Sequence, residues 1–164
     1  SLNDIGFGKE IKEVGSTLEQ NALIKVREVF NFSHRTSISD DSGLEIDFLD
    51  GEPGVFSARY SGLNAHPIDN INKVLKKLGN TLLRKARFRT VIAFKDEKKE
   101  KLFEGIVEGR ISEKIRGLGG FGYDPIFIPD QFHCTFSEMS SELKNKISHR
   151  GLAIKKLHRF INSK

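Results

Sequence analysis

The sequence predicts an α/β fold built on a mixed β-sheet, and three observations carry that reading. Apolar residues recur at helical spacing in some stretches and alternate with polar ones in others. The two kinds of stretch take turns along the chain, the pattern of helices laid against a sheet. Two alternating stretches are separated only by a short charged turn, so part of the sheet is an antiparallel hairpin.

Taken in order, Ser16 and Thr17 precede Glu19 and Gln20 in a capping-box pattern. Leu18, Ala22, Val26 and Val29 follow at helical spacing, which predicts a helix from about Leu18 to Phe30. Asn21 and Lys25 stand four apart and share a face of it, placed away from the Leu18/Val26 stripe. One strand is expected to end near Ile38. Another begins at Leu44, where Leu44, Ile46 and Phe48 alternate with Glu45 and Asp47. Pro67 opens a helix carried by Ile68, Ile71, Val74, Leu75 and Leu78, and Gly79 ends it. Phe88, Thr90, Ile92 and Phe94 make one arm of the hairpin, Asp96 to Lys99 its turn, and Leu102 to Ile111 the other arm. Gly117, Gly119, Gly120 and Gly122 form a flexible loop before Pro125 to Ile128, a short apolar strand bounded by Pro129. From Ser141 onward the pattern is helical, interrupted near Gly151 and resumed through Ala153, Leu157, Phe160 and Ile161.

Composition narrows the function classes. The 164 residues carry 27 Lys+Arg and 22 Asp+Glu, a formal charge of +5, ordinary for a single domain. No run approaches the roughly 18 apolar residues that a membrane helix requires, and no charged segment followed by an apolar one opens the chain. Neither a membrane partner nor a secretion signal is expected. Cys134 is the sole cysteine, which excludes internal disulfides and thiol-redox pairs and fits a reducing, cytoplasmic compartment. His34, His66, His133 and His158 show no metal-ligand spacing with one another or with Cys134.

Three stretches can carry chemistry. Ser39-Asp40-Asp41-Ser42-Gly43 reads as an acidic turn between two strands. Its carboxylates repel unless a cation or donors sit between them, and magnesium suits one or two carboxylates completed by phosphate oxygens. A plain solvated turn has the same composition. Gly117 to Pro125 sets Phe121 and Tyr123 among small residues, which can bring backbone and an aromatic face close to a ligand, or can be a mobile loop whose rings fall back on the core. Ser148-His149-Arg150-Gly151, with Lys144 nearby, offers donors for a phosphate or a base carbonyl, or else a helix cap with basic residues on a wet face. No Walker loop, Rossmann fingerprint or G-x-S-x-G elbow is present.

Four blocks in order give these stretches a common context: Glu13-Val14-Gly15 with Asn21 to Lys25, Ser39 to Gly62, Gly119 to Phe127, and Ser148 to Ala153. Together they resemble the Ham1-type inosine/xanthosine triphosphate pyrophosphatases, over nearly the whole chain. The resemblance implies an elongated mixed sheet flanked by helices, two lobes around a central cleft, and usually a homodimer. It implies hydrolysis of ITP, dITP and XTP to the monophosphate and pyrophosphate with Mg2+. By position, Asp41 would activate water and contact the metal, and Glu13 would be the second metal carboxylate. Ser42 would touch the substrate, and Lys25 and Lys144 would neutralise the triphosphate. Phe121, Gly122, Tyr123 and Asp124, with His149 and Arg150, would enclose and read the base.

A carboxylate beside magnesium is expected to have a depressed pKa, so Asp41 would orient water more than act as a strong base. The family normally opens with a strand and an S/T-x-N-x-x-K turn, whereas this chain opens at Ser1-Leu2-Asn3-Asp4-Ile5, matching the segment just after them. Residues 1–164 are therefore expected to be one N-terminally incomplete pyrophosphatase domain. Two other readings stand beside this one: a pyrophosphatase for another modified nucleotide, and a non-catalytic basic module for nucleotides or nucleic acid. The modest charge and the lack of interleaved aromatic and basic residues argue against nucleic acid as a partner.

Overall fold

A computed structural model describes residues 2–163 of the chain. Helix α1 (Leu18–Ser33) starts where Thr17 accepts a hydrogen bond from the Gln20 N–H, while the Gln20 side chain accepts one from the Ser16 N–H at 2.7 Å. These bonds satisfy N–H groups that a helix start otherwise leaves open. The helix runs three residues past the expected Phe30 and ends at His34, in the left-handed region at φ 52.

Strand β1 (Ser37–Ile46) is continuous, which corrects the expected turn at 39–43. Each of its residues pairs antiparallel with strand β2 (Lys85–Lys95), Asp41 opposite Val91 and Ser42 opposite Thr90. Asp, Ser and Gly favour turns when nothing pairs with them, but a full ladder against an apolar strand overrides that preference. Gly43 is needed because a Cβ there would sit 2.6 Å from the Gly54 carbonyl oxygen, so the 3-10 turn Gly54–Arg59 lies hard against β1. Phe48 falls outside the strand, in a 3-10 turn over Asp47–Leu49.

Helix α2 (Pro67–Leu78) has the expected bounds, with Pro67 in its first turn and Gly79 ending it at φ 50. The hairpin is also as expected: β2 turns into strand β3 (Glu100–Ile111) where Asp96 accepts from the N–H groups of Lys98 and Lys99 at 2.9 Å. Strand β4 (Phe127–Pro129) is shorter than predicted, because Asp124–Ile126 forms a 3-10 turn instead. The sheet order is β1-β2-β3-β4. The mixed sheet read from the sequence is met, among the described residues, by antiparallel pairings alone.

Helices α3 (Ser141–Ile147) and α4 (His149–Asn162) are divided at Ser148 rather than near Gly151. The Ser148 hydroxyl caps α4 by accepting from the Gly151 N–H at 3.2 Å. Gly151 lies inside α4, where a Cβ would run into the Asn145 carbonyl oxygen.

Residues 90–94 of β2 are buried on both faces: Val91 and Ala93 pack under α1, while Ile92 and Phe94 pack under α4. The largest core cluster joins β1 and β2 to α2 and the 123–136 segment, around Leu44, Ile46, Val74, Phe88, Phe127 and Phe136. Burying each such side chain contributes about 1.5–3 kcal/mol. Gly105 of β3 lies directly under the start of α4, where a Cβ would overlap the His149 carbonyl oxygen and crowd the Ala153 N–H. That contact fixes where His149 and Arg150 stand.

Candidate active site

Alternation along β1 divides its central residues between two faces. Asp41 turns toward α1, while Asp40 and Ser42 turn toward α4 and the cavity beside it. Among the described residues β1 stands at one end of the strand order.

On the first face a charged cluster forms. The Lys25 ammonium donates to Asp41 Oδ1 at 2.6 Å and to Glu13 Oε1 at 2.9 Å. Asn21 Nδ2 reaches Asp41 Oδ2 at 3.4 Å, and Asn21 Oδ1 accepts from the Gly15 N–H at 2.8 Å. Arg59 pairs with the other oxygen of Glu13 at 3.2 Å. Asn21 is fully buried, which corrects its placement away from the Leu18/Val26 stripe, and Lys25 points inward to the carboxylates. Asn21 follows Leu18 by three residues and so belongs to the buried stripe. Burial raises Glu13, yet Lys25 and Arg59 together hold its carboxyl below the ordinary value. Burial also pushes Asp41 up, helped by the Glu13 charge, and the bond from Lys25 does not fully offset it. This upward direction belongs to the protein surroundings alone, whereas the depression expected for Asp41 is that of a carboxylate beside magnesium. Lys25 itself is raised, since its two carboxylate bonds outweigh desolvation.

On the second face lies a cavity of about 630 Å³, lined by Ser42, Phe88, Phe121, Gly122, Tyr123, Asp124, Lys144, His149 and Arg150 among others. Asp41 is not part of its lining. Phe121 stands at the mouth, 79% exposed, on a loop with positive φ at Gly117, Gly120 and Gly122. Asp124 is buried and accepts from the Phe121 N–H and the Lys144 ammonium. Lys144 is thereby anchored in the cavity wall. Tyr123 donates to the Ser57 carbonyl at 2.9 Å, and burial pushes its phenol up. His149 stacks on Phe88 with ring centroids 4.5 Å apart and 11° between planes, and its buried Nδ1 has no hydrogen-bond partner. Burial, then the charges of Arg150 and Lys144, lower His149 to about 3, so the ring is neutral near pH 7. Arg150 closes one rim by pairing with Asp40 at 2.8 Å. Ser42 shares a 2.7 Å hydrogen bond with the buried Thr90.

The sequence-predicted residues therefore come together in two adjacent groups, Glu13, Lys25 and Asp41 in one and the rest around the cavity. The structure adds Arg59 and Phe88, to which the sequence reading gave no role, and turns Asp40 away from Asp41 to pair with Arg150. Asp40 and Arg59 both lay within the Ser39 to Gly62 block, but nothing in their spacing says what they touch. Glu13 and Asp41 each turn one oxygen to the Lys25 ammonium, so a hard divalent cation held by the two carboxylates would take the place that Lys25 fills here. No cluster of three or more His, Cys, Asp or Glu suited to a metal occurs among the described residues. The remaining ligands of such an ion would be water or phosphate oxygens.

Comparison with known proteins gives a consistent picture. The chain is 46% identical to the dITP/XTP pyrophosphatase of Flavobacterium johnsoniae, over 96% of this chain and 82% of that protein. It is 48% identical to that of Bacillus licheniformis, over 96% and 82%. Among solved structures, the Staphylococcus aureus Ham1 protein superposes with a TM-score of 0.95 at 42% identity, covering 99% of this chain and 85% of that one. The Ham1 family model matches residues 1–160. With so much of the sequence and the fold in common, this chain belongs to the Ham1 family.

Proposed function

We propose that the protein hydrolyses non-standard purine nucleoside triphosphates, ITP, dITP and XTP, to the monophosphate and pyrophosphate, with Mg2+ as cofactor. The observation that carries the reading is the pair of carboxylates locked around Lys25 on one face of a strand whose other face opens on a cavity of about 630 Å³, roomy enough for a purine ring. A nucleotide with its ring in the cavity would extend its phosphates toward Asp41. Glu13 and Asp41 would hold the magnesium ion, which when bound withdraws charge from the phosphate oxygens.

Asp41 orients the attacking water and takes its proton. The new bond joins the water oxygen to phosphorus as the anhydride to the leaving pyrophosphate breaks. Lys25 sits where it can neutralise charge that builds on the phosphate oxygens. His149 and Arg150 offer donors to the carbonyl at position six of hypoxanthine or xanthine, where adenine presents an amino group.

The relatives' names, which specify dITP and XTP, support the substrate class. We read the enzyme as a cytoplasmic homodimer; a monomer in sedimentation would revise the assembly and leave the chemistry untouched. The test is pyrophosphate release from ITP, dITP, XTP, ATP and GTP, with and without Mg2+. Release from the first three, slower by orders of magnitude from ATP and lost without the metal, is expected. Equal rates on all five, or salt-sensitive oligonucleotide binding with no release, would overturn the reading.

A further inference from the structure

Residues 7–15 form neither helix nor strand, so no hydrogen-bonded element holds the Glu13 side chain in place. Lys25 holds one carboxylate oxygen, and Arg59 takes the other. Its Nη1 is 3.2 Å from Glu13 Oε2, and its Nη2 approaches the Glu13 backbone carbonyl at 3.5 Å. One guanidinium thus bridges a residue's side chain to its own main chain, which limits the rotamers open to Glu13.

Arg59 can serve this way because its own base is firm. It ends the 3-10 turn Gly54–Arg59, whose Ser57 hydroxyl accepts from the Leu44 N–H at 2.9 Å and donates to the Gly54 carbonyl at 2.6 Å. Asn70 of α2 donates to the Ala58 carbonyl at 3.1 Å and accepts from the Ser61 N–H at 2.7 Å. Tyr123 fastens the Ser57 carbonyl from the cavity side. The guanidinium also lies over the Phe56 ring, 5.5 Å from its centroid.

We propose that Arg59 is a positioning residue: its planar fork clamps Glu13 so that this carboxylate faces the same point as Asp41, a point that Lys25 fills here and that a divalent cation would take. The proposal rests on the functional reading above and extends it to a residue outside the reacting groups. A fork matters here, not merely a charge. A lysine keeps the charge but lacks the rigid planar pair of donors that spans the Glu13 side-chain oxygen and the Glu13 main-chain carbonyl. Arg59→Lys therefore separates geometry from electrostatics, because the repulsion between a cation at position 59 and the metal is kept.

The experiment titrates nucleotide-free wild type and R59K with Mn2+, reading free Mn2+ by electron paramagnetic resonance. R59K is expected to bind about tenfold more weakly, at the lower end of what outer-shell substitutions do to metal affinity. The Mg2+ needed for half-maximal pyrophosphate release should rise in parallel, with KM for dITP at saturating Mg2+ within about twofold of wild type. Thermal melting confirms that the variant is folded. Mn2+ binding equal to wild type overturns the clamp, and a raised KM with unchanged Mn2+ binding assigns Arg59 to the phosphates instead. Weakened Mn2+ binding in R59K, together with a wild type that releases no pyrophosphate from any nucleotide, supports the clamp and sinks the proposed substrate.

Discussion

Lowering the pH should loosen this protein through His149. In the unfolded chain that ring protonates near its ordinary 6.5. In the folded chain burial, Arg150 and Lys144 hold it down to about 3, with Asp40 pulling weakly the other way. Between those values the unfolded state binds more protons than the folded one, so stability falls as pH drops from about 6.5 toward 3 and is fully present above that window. Moving from pH 7.5 to pH 5 then costs about 2 kcal/mol for a ring wholly shielded, and about 1 to 2 kcal/mol once its accessible edge is allowed for. Urea unfolding of wild type and His149→Gln at both pH values reads this directly. Other titrating groups are shared by the two proteins and cancel in the comparison. Wild type should lose about 1 to 2 kcal/mol more than the variant, a shift of about 0.5–1 M in the relative urea midpoints. Equal acid sensitivity in the two would refute the argument, for it would mean that the imidazole is as free to charge when folded as when unfolded.

Three further outcomes follow from the geometry. Asp41→Asn should lower kcat on dITP by about 10²–10⁴-fold, the usual share of a general base, and a loss under tenfold would remove that role. Arg150→Ala should narrow the preference for ITP over ATP as well as slow both; an unchanged ratio in competition assays would take base reading away from Arg150. Gly105→Ala should destabilise by roughly 1–3 kcal/mol, because a methyl group there overlaps the first turn of α4, and chemical unfolding at wild-type stability would contradict that close approach.

Where local chemistry alone decides, the sequence was readable. Thr17 and Gln20, Pro67 and Gly79, and the Asp96 turn each satisfy or end a backbone pattern within a few residues, and all three features stand as expected. It misled where a distant partner decides. Ser39 to Gly43 has turn composition, but β2 lies some fifty residues away and pairs with every residue of the stretch. Asn21 and Lys25 look like surface residues until Asp41 and Glu13 are brought against them from two other segments. The helix break moved from Gly151 to Ser148 for the same kind of reason, since the glycine serves the packing of α4 on α3, not the chain's local bend. The candidate site residues were named from a pattern of blocks. Their division between two faces of one strand was not in that pattern, because it depends on an unbroken β1.

That division explains why an acidic strand, and not a loop, suits this chemistry. Successive residues of a strand point to opposite faces, so Asp40, Asp41 and Ser42 can serve two ends of one ligand without competing for space. Asp41 faces the cluster of Glu13, Lys25 and Arg59, in which two negative and two positive charges balance. Asp40 faces Arg150 and Ser42 faces the cavity. A register slip of one residue would exchange these roles and send a carboxylate into the apolar floor around Phe88. The ten-residue ladder with β2 therefore protects function as well as stability: it guards the assignment of charge to one face and of ring recognition to the other.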